Sequence, residues 1–214
     1  MKNNEDKGAD TRERLLEAAG EVFALRGYRA ATVREISQRA NANVAAVNYH
    51  FRDKKGLYTT VLEQTLKSAV KKYPPDLGLS GSATAEDQLR AFVRSFLLRL
   101  LDEGRPAWHG KLMVREITEP TAVLDLIVEG VIRPLHERLT LIVRKFLGSD
   151  ADEGSVRLCV MSIIGQCLFY QHSRHVIMRL YPHGFGREEI EQMAEHITLF
   201  SLHAMRELSK GAHE

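Results

Sequence analysis

Apolar residues recur every three to four positions along most of this chain, the spacing that lines one face of a helix. Leu15, Leu16, Ala19, Val22 and Phe23 form the first stripe, opened by a capping-box-like Asp10 and Glu13 and stopped at Gly27. Thr32 and Glu35 form an S/T-x-x-E signature that starts a short second helix. Asn41, Ala42 and Asn43 interrupt it after roughly two turns, and Val44 to Phe51 can form a third. Asp53 can cap a fourth, from about Lys54 to Lys72, whose apolar positions Leu57, Tyr58, Val61, Leu62, Leu66, Ala69 and Val70 cover more than one face. Tyr73, Pro74 and Pro75 end it, and 76–83 reads as a flexible loop.

Helical spacing continues beyond that loop. One helix is expected over 84–102, with Leu89, Phe92, Val93, Phe96, Leu97, Leu100 and Leu101 facing inward, and a shorter one over 107–118. Another runs from Thr121 to about Leu147, where Pro134 should kink or break it. Segment 155–172 is apolar on nearly every side, so it needs cover on both sides. The last helix, about 187–209, carries Ile190, Met193, Ala194, Ile197, Phe200, Ala204 and Leu208 on one stripe and Leu199, Leu202 and Met205 on another. Surplus apolar surface on these last two helices predicts a homodimer seam through Val160, Ile164, Leu168, Ile197, Phe200 and Ala204. The blander alternative is a central helix inside a monomer.

No strand-like alternation or repeat is visible, so the chain reads as all-α: a disordered arm at 1–9, a three-helix head at 10–54, a connector at 55–83 and a helical body at 84–214. The N-terminus lacks the apolar run of a secretion signal, and no stretch reaches the ~18 apolar residues of a membrane span. The two cysteines, Cys159 and Cys167, would sit about 12 Å apart on one helix, too far to bridge. A cytoplasmic protein fits these features, with both thiols as inert fillers.

Two short helices around a three-residue break are the layout of a helix-turn-helix, whose second helix enters the DNA major groove. Charge points the same way. The formal net charge of +2 is uneven: residues 26–60 carry seven basic side chains (Arg26, Arg29, Arg34, Arg39, Arg52, Lys54, Lys55) against Glu35 and Asp53. Positive charge is concentrated where phosphates would lie. Val47 and Phe51 are four apart and can pack inward with Ile36 and Ala40, leaving Asn43, Val44, Ala46, Asn48, Tyr49 and His50 for DNA. Ala45 and Ala46 allow close approach to the groove floor, Val44 and Ala46 could meet thymine methyls, and Asn48 could pair with adenine. Tyr49, His50 and Lys54 fit phosphates, and the Thr32 hydroxyl can cap its helix, touch phosphate, or both. Taken alone, 32–54 could also be a plain helical hairpin with solvated Asn48 and His50.

Over residues 10–60 the head resembles the TetR family of regulators, through Thr32, Val33, Ile36, Ala40, Val47, Tyr49, His50, Phe51, Lys54 and Leu57, preceded by Phe23, Gly27 and Tyr28. The body, with MVREITEPT at 113–121 and VIRPLHERL at 131–139, looks like the CecR-type branch of that family. The resemblance implies phosphate contacts for Tyr49 and Lys54. Three positions depart from the family's pattern: Asn41 replaces a common glycine, Asn48 a common tyrosine, and Val44 a commonly polar residue. Asparagine tolerates the left-handed backbone such a turn can need.

The resemblance further implies a ligand-binding and dimerisation bundle that responds to a small effector of unidentified class. Phe96, Trp108, Met113, Phe169 and Tyr170 are candidate walls, with His109, Arg115, Glu116 and His172 as polar groups; each aromatic at helical spacing also fits a plain core. Arg115–Glu116 and Arg133–Glu137 read as ion pairs, and the single His172–His175 pair falls short of a metal site. No nucleophile–base pair, phosphate-cradling glycine loop or spaced carboxylate dyad indicates an enzyme, and no cofactor is expected. The expected function is a ligand-responsive repressor acting as a homodimer on a palindromic double-stranded operator. The alternative keeps DNA binding but makes the body only a dimerisation scaffold that answers to a protein partner.

Overall fold

The computed structural model describes residues 2–102, 104, 106–148, 150–182 and 185–211. Regular structure among them is helical, with no strand, as expected of an all-α chain. The helices are α1 (Lys2–Ala30), α2 (Val33–Arg39), α3 (Val44–Phe51), α4 (Lys54–Lys72), α5 (Ala85–Leu101), α6 (Trp108–Thr118), α7 (Leu124–Ile127), α8 (Arg133–Leu147), α9 (Glu153–His172), α10 (Arg174–Leu180) and α11 (Arg187–Gly211). They form two compact units, Met1–Ser68 with Glu103–Val131, and Ala69–Asp102 with Ile132–Glu214. Segment 103–131, expected in the body that starts at 84, packs with the head. Its apolar side chains Leu112, Val123 and Ile127 are buried in the core that α1–α4 build from Leu15, Phe23, Ile36, Val47, Leu57 and Leu62.

Helix α1 begins at Lys2, so residues 2–9, expected as an unstructured arm, lie in helical geometry; the stretch has no proline, and the following turns are anchored by buried Leu15 and Leu16. Its C-terminal end is interrupted at Gly27, where φ is 78° and ψ 165°, a conformation open essentially to glycine alone. Pro134 breaks the helix expected over 121–147. The segment splits into α7, a π-helical turn Val128–Ile132, and α8, which takes the proline into its first turn, where a missing N–H is harmless.

The second unit packs α5, α8, α9 and α11 around Leu89, Val93, Leu97, Leu139, Val143, Val156, Val160, Ile163, Ala194 and Ile197. Arg94 donates to Glu191 at 2.7 Å and Arg90 to Glu195 at 2.8 Å, tying α5 to α11 at the margin of that core. Both cysteines are buried here. Burial pushes the Cys167 thiol up to about 12, so it stays protonated and unreactive, as expected of a filler.

The dimer set read from the sequence splits. Val160 and Ile197 are buried inside the chain's own core and are corrected out of it; Ile164 and Leu168 are half-buried; Phe200 and Ala204 are exposed. The exposed apolar surplus includes Phe200 of that set together with Leu158, Met161 and Phe169 of α9 and Leu199 and Leu208 of α11. A helix apolar all round cannot reveal from its periodicity which side the core takes.

Candidate DNA-binding site

Thr32 starts α2. Its extended backbone (φ −117°, ψ 145°) turns the hydroxyl back to accept from the Glu35 N–H at 3.1 Å. The Glu35 carboxylate pairs with Arg26 at 3.5 Å. Helix α2 ends in a Schellman turn: the Ala42 N–H donates to Ser37 O at 2.9 Å and the Asn41 N–H to Gln38 O at 3.1 Å. Asn41 supplies the left-handed residue this turn needs, at φ 48°. Arg14 reaches across from α1 and donates to Ala40 O at 3.0 Å and Asn41 O at 3.3 Å, pinning the turn. Sequence spacing gave no sign of that guanidinium cap, because it spans 26 positions.

Asn43 then caps α3, its side-chain oxygen accepting from the Ala45 N–H at 2.8 Å. Val47 and Phe51 are buried as expected, and Arg12 lies 5.4 Å over the Phe51 ring. The outward row is Val44, Ala45, Asn48 and Tyr49, with Tyr49 86% exposed. Ala46 and His50 are half-buried, and Ala46 packs against the head core. The small side chain on the exposed row is therefore Ala45, while Ala46 turns partly inward.

Of the seven basic residues, three are already engaged. Arg26 pairs with Glu35, and Arg39 with Glu21. Lys54 donates to Ala31 O at 2.7 Å and Arg29 O at 3.3 Å and lies 4.7 Å over the Tyr28 ring. Burial pulls its ammonium below the usual lysine range. Lys54, expected on phosphate, thus ties the start of α4 to the strap between α1 and α2. Arg29, Arg34, Arg52 and Lys55 are exposed around the outward row and suited to phosphates.

Five of the expected effector residues, Trp108, His109, Met113, Arg115 and Glu116, lie in the same unit as this head. Trp108 donates through its indole N–H to Glu17 at 2.8 Å and lies flat against Gly20, where a Cβ would meet the ring at 2.3 Å. Arg115 donates to Leu25 O at 3.1 Å and Ala24 O at 3.4 Å. It pairs with Glu119 at 3.5 Å instead of the expected Glu116. Glu116 is fully buried and accepts from the Tyr58 hydroxyl at 2.6 Å and from the Thr121 N–H and hydroxyl at 3.0 and 2.9 Å. Burial, then the hydrogen bond to Glu116 and its charge, push the Tyr58 hydroxyl far above the phenol range, so it remains a donor. Met113 is half-buried against the head core. These side chains hold α6 to α1 and α4.

The remaining effector candidates are in the second unit. Phe96 and Tyr170 are half-buried on its core, Tyr170 with its ring 6.4 Å from Phe185, whereas Phe169 is exposed. His172 faces Leu168 O at 3.0 Å, and among the described residues no three potential ligands gather as a metal site. No helix of the described residues is long and apolar enough to cross a membrane.

Comparison with known proteins agrees with this geometry. Residues 15–61 match the model for bacterial regulatory proteins of the tetR family. Residues 85–205, more than half the chain, match the C-terminal domain of the HTH-type transcriptional dual regulator CecR. The Shigella flexneri CecR regulator is 29% identical over 201 residues, covering 90% of each chain. The Pseudomonas putida repressor NicS is 27% identical over 210 residues, covering 94% of this chain and 93% of that one. Two solved structures share the fold: PfmR from Thermus thermophilus (TM-score 0.60, 19% identity, 89% and 95% of the chains) and AibR with isovaleryl coenzyme A and operator DNA (TM-score 0.62, 17% identity, 88% and 96%). The matched relatives are transcription regulators rather than enzymes. The chain belongs to the TetR family of DNA-binding transcription regulators, in its CecR-type branch.

Proposed function

We propose that this protein is a ligand-responsive cytoplasmic repressor that acts as a homodimer on a palindromic operator. The observation that carries the DNA-reading part is the outward row of α3, Val44, Ala45, Asn48 and Tyr49, on a helix that Asn43 caps, accompanied by exposed Arg29, Arg34, Arg52 and Lys55. Asn48 reads a base edge, Val44 and Ala45 meet thymine methyls, and Tyr49 with the flanking cations grips the backbone. The exposed apolar faces of α9 and α11, with Leu158, Met161, Phe169, Leu199, Phe200 and Leu208, are the surface a second copy would cover. A C₂ pair presents two α3 helices to major grooves one helical turn, or a multiple, apart.

The small effector acts by binding one arrangement of the dimer more tightly than the other. The AibR complex, in which a neighbour of the same fold carries both isovaleryl coenzyme A and operator DNA, supports a small-molecule input of this kind. With Trp108, Arg115 and Glu116 bonded into the head and Met113 packed on its core, Phe96 and Tyr170 are the half-buried aromatics of the expected set left to line an effector site.

The decisive experiment selects duplexes from a random pool with the wild-type protein and compares wild type with Tyr49→Ala in salt-controlled gel shifts. Tyr49 is almost fully exposed, so its loss should weaken the selected duplex roughly tenfold while leaving the melting temperature unchanged. Equal affinity for selected and random duplex would refute the reading. A thermal-shift panel of metabolites separates a ligand-responsive body from a mere dimerisation scaffold.

A further inference from the structure

The contacts of α6 trace a closed circuit around the place where α1 gives way to the helix-turn-helix. Arg115 holds the carbonyls of Ala24 and Leu25, the last turn before the break. Its side chain fills the space over Gly27, where a Cβ would come 2.7 Å from Nε. After the break, the Tyr28 ring packs against that of Tyr58, centroids 4.8 Å apart and tilted by 41°, and the Lys54 ammonium, one turn earlier on α4, holds the Arg29 and Ala31 carbonyls. Thr32 follows at once and caps α2. Tyr58 returns the circuit to α6 through its hydroxyl on Glu116, the residue next to Arg115.

Only four residues separate Gly27 from Thr32, so the backbone angles at the break set the direction in which α2 and α3 are presented. Glycine alone would leave those angles loosely defined. The guanidinium is what occupies the room around it. On the reading that α3 contacts DNA, we propose that Arg115 is a positioning residue for DNA recognition: it fixes the break at Gly27, and with it the angle of the recognition helix, without touching DNA.

The test uses the full chain and the duplex that wild type selects from a random pool. Arg115→Ala and Arg115→Lys are compared with Arg34→Ala, an exposed cation next to the cap of α2. A positioning role predicts that Arg115→Ala loses roughly tenfold in affinity while its salt dependence keeps the wild-type slope. Arg34→Ala, as a phosphate contact, lowers that slope by about one. Arg115→Lys, whose ammonium can still reach a carbonyl, recovers part of the loss. Unchanged affinity in Arg115→Ala overturns the proposal, as does a reduced salt slope, which would make Arg115 a phosphate contact. A loss matched by the unfolded fraction at the assay temperature also overturns it, since the role would then be stability alone. If Arg115→Ala does not fold, Arg115→Lys decides by the same readouts: reduced affinity at an unchanged slope supports the proposal, and wild-type affinity overturns it. Failure of wild type to prefer any duplex would instead remove the DNA-reading assignment on which the proposal stands.

Discussion

Replacing Glu116 by alanine should destabilise the first unit far more than removing its partner hydroxyl. The carboxylate is fully buried and accepts three donors: the Tyr58 hydroxyl at 2.6 Å and the two Thr121 groups at 3.0 and 2.9 Å. Tyr58→Phe removes one donor and leaves the carboxylate served by the other two, so the loss is that of one charge-assisted bond, about 1.5–2 kcal/mol. Glu116→Ala leaves the buried Tyr58 hydroxyl and the Thr121 N–H without their acceptor and opens a void. Orphaned donors cost about 1–3 kcal/mol each; Thr121 is half-buried and within reach of water, so a total of about 3–5 kcal/mol follows. Glu116→Gln should fall near Tyr58→Phe, because the hydroxyl can rotate to accept from the amide. The double variant has no hydroxyl at position 58 left to orphan, so the two losses should combine to less than their sum. Urea unfolding followed by the emission of Trp108, the chain's single tryptophan and a residue seated on α1, reads the first unit directly. Midpoints should shift with the slope unchanged. A Glu116→Ala loss no larger than that of Tyr58→Phe would refute this account of how α6 is held.

Gly27→Ala combines a glycine-only backbone with a Cβ 2.7 Å from Arg115, and a loss of about 2–3 kcal/mol on the same urea assay is expected. Asn41→Gly should leave the Schellman turn intact or slightly strengthen it, whereas Asn41→Ala should cost about 1 kcal/mol; thermal melts of the two variants decide. Acid should loosen the second unit first. Asp76 (held by the Gly78 N–H), Asp87 (by Thr84), Asp152 (by Ser155) and Glu195 (by Arg90) all lie below the ordinary carboxylate range, and all belong to that unit. Each is depressed in the folded state, so its stabilisation is present above the unfolded values of 3.8 or 4.5 and lost as pH falls through the folded ones. Far-UV helicity should therefore begin to drop before Trp108 emission changes, and the reverse order would contradict the assignment.

The helix-turn-helix was legible because the caps and the turn that shape it are local, the long-range Arg14 bond to the turn excepted. Thr32 and Glu35 are three apart, Asn43 bonds two residues on, and Asn41 needs only its own backbone tolerance. Pro134 was legible for the same reason: a missing N–H acts at its own position. The docking of α6 on α1 was not. Periodicity shows that Leu112 and Glu116 share an inward face but cannot say into which core, and Glu116 meets Tyr58 across 58 positions. Nor could the register of α9 be read, since apolar residues occupy nearly every side of it and only packing separates Val160 from Leu158.

The outward row of α3 carries no formal charge; Val44, Ala45, Asn48 and Tyr49 are neutral, while the cations Arg29, Arg34, Arg52 and Lys55 stand off the row. On the proposed reading of α3, search and choice are therefore written in different residues. A lineage carrying this head could be retargeted to a new promoter by exchanging two or three neutral side chains, while its sliding along the chromosome, governed by ionic strength, stayed as it was.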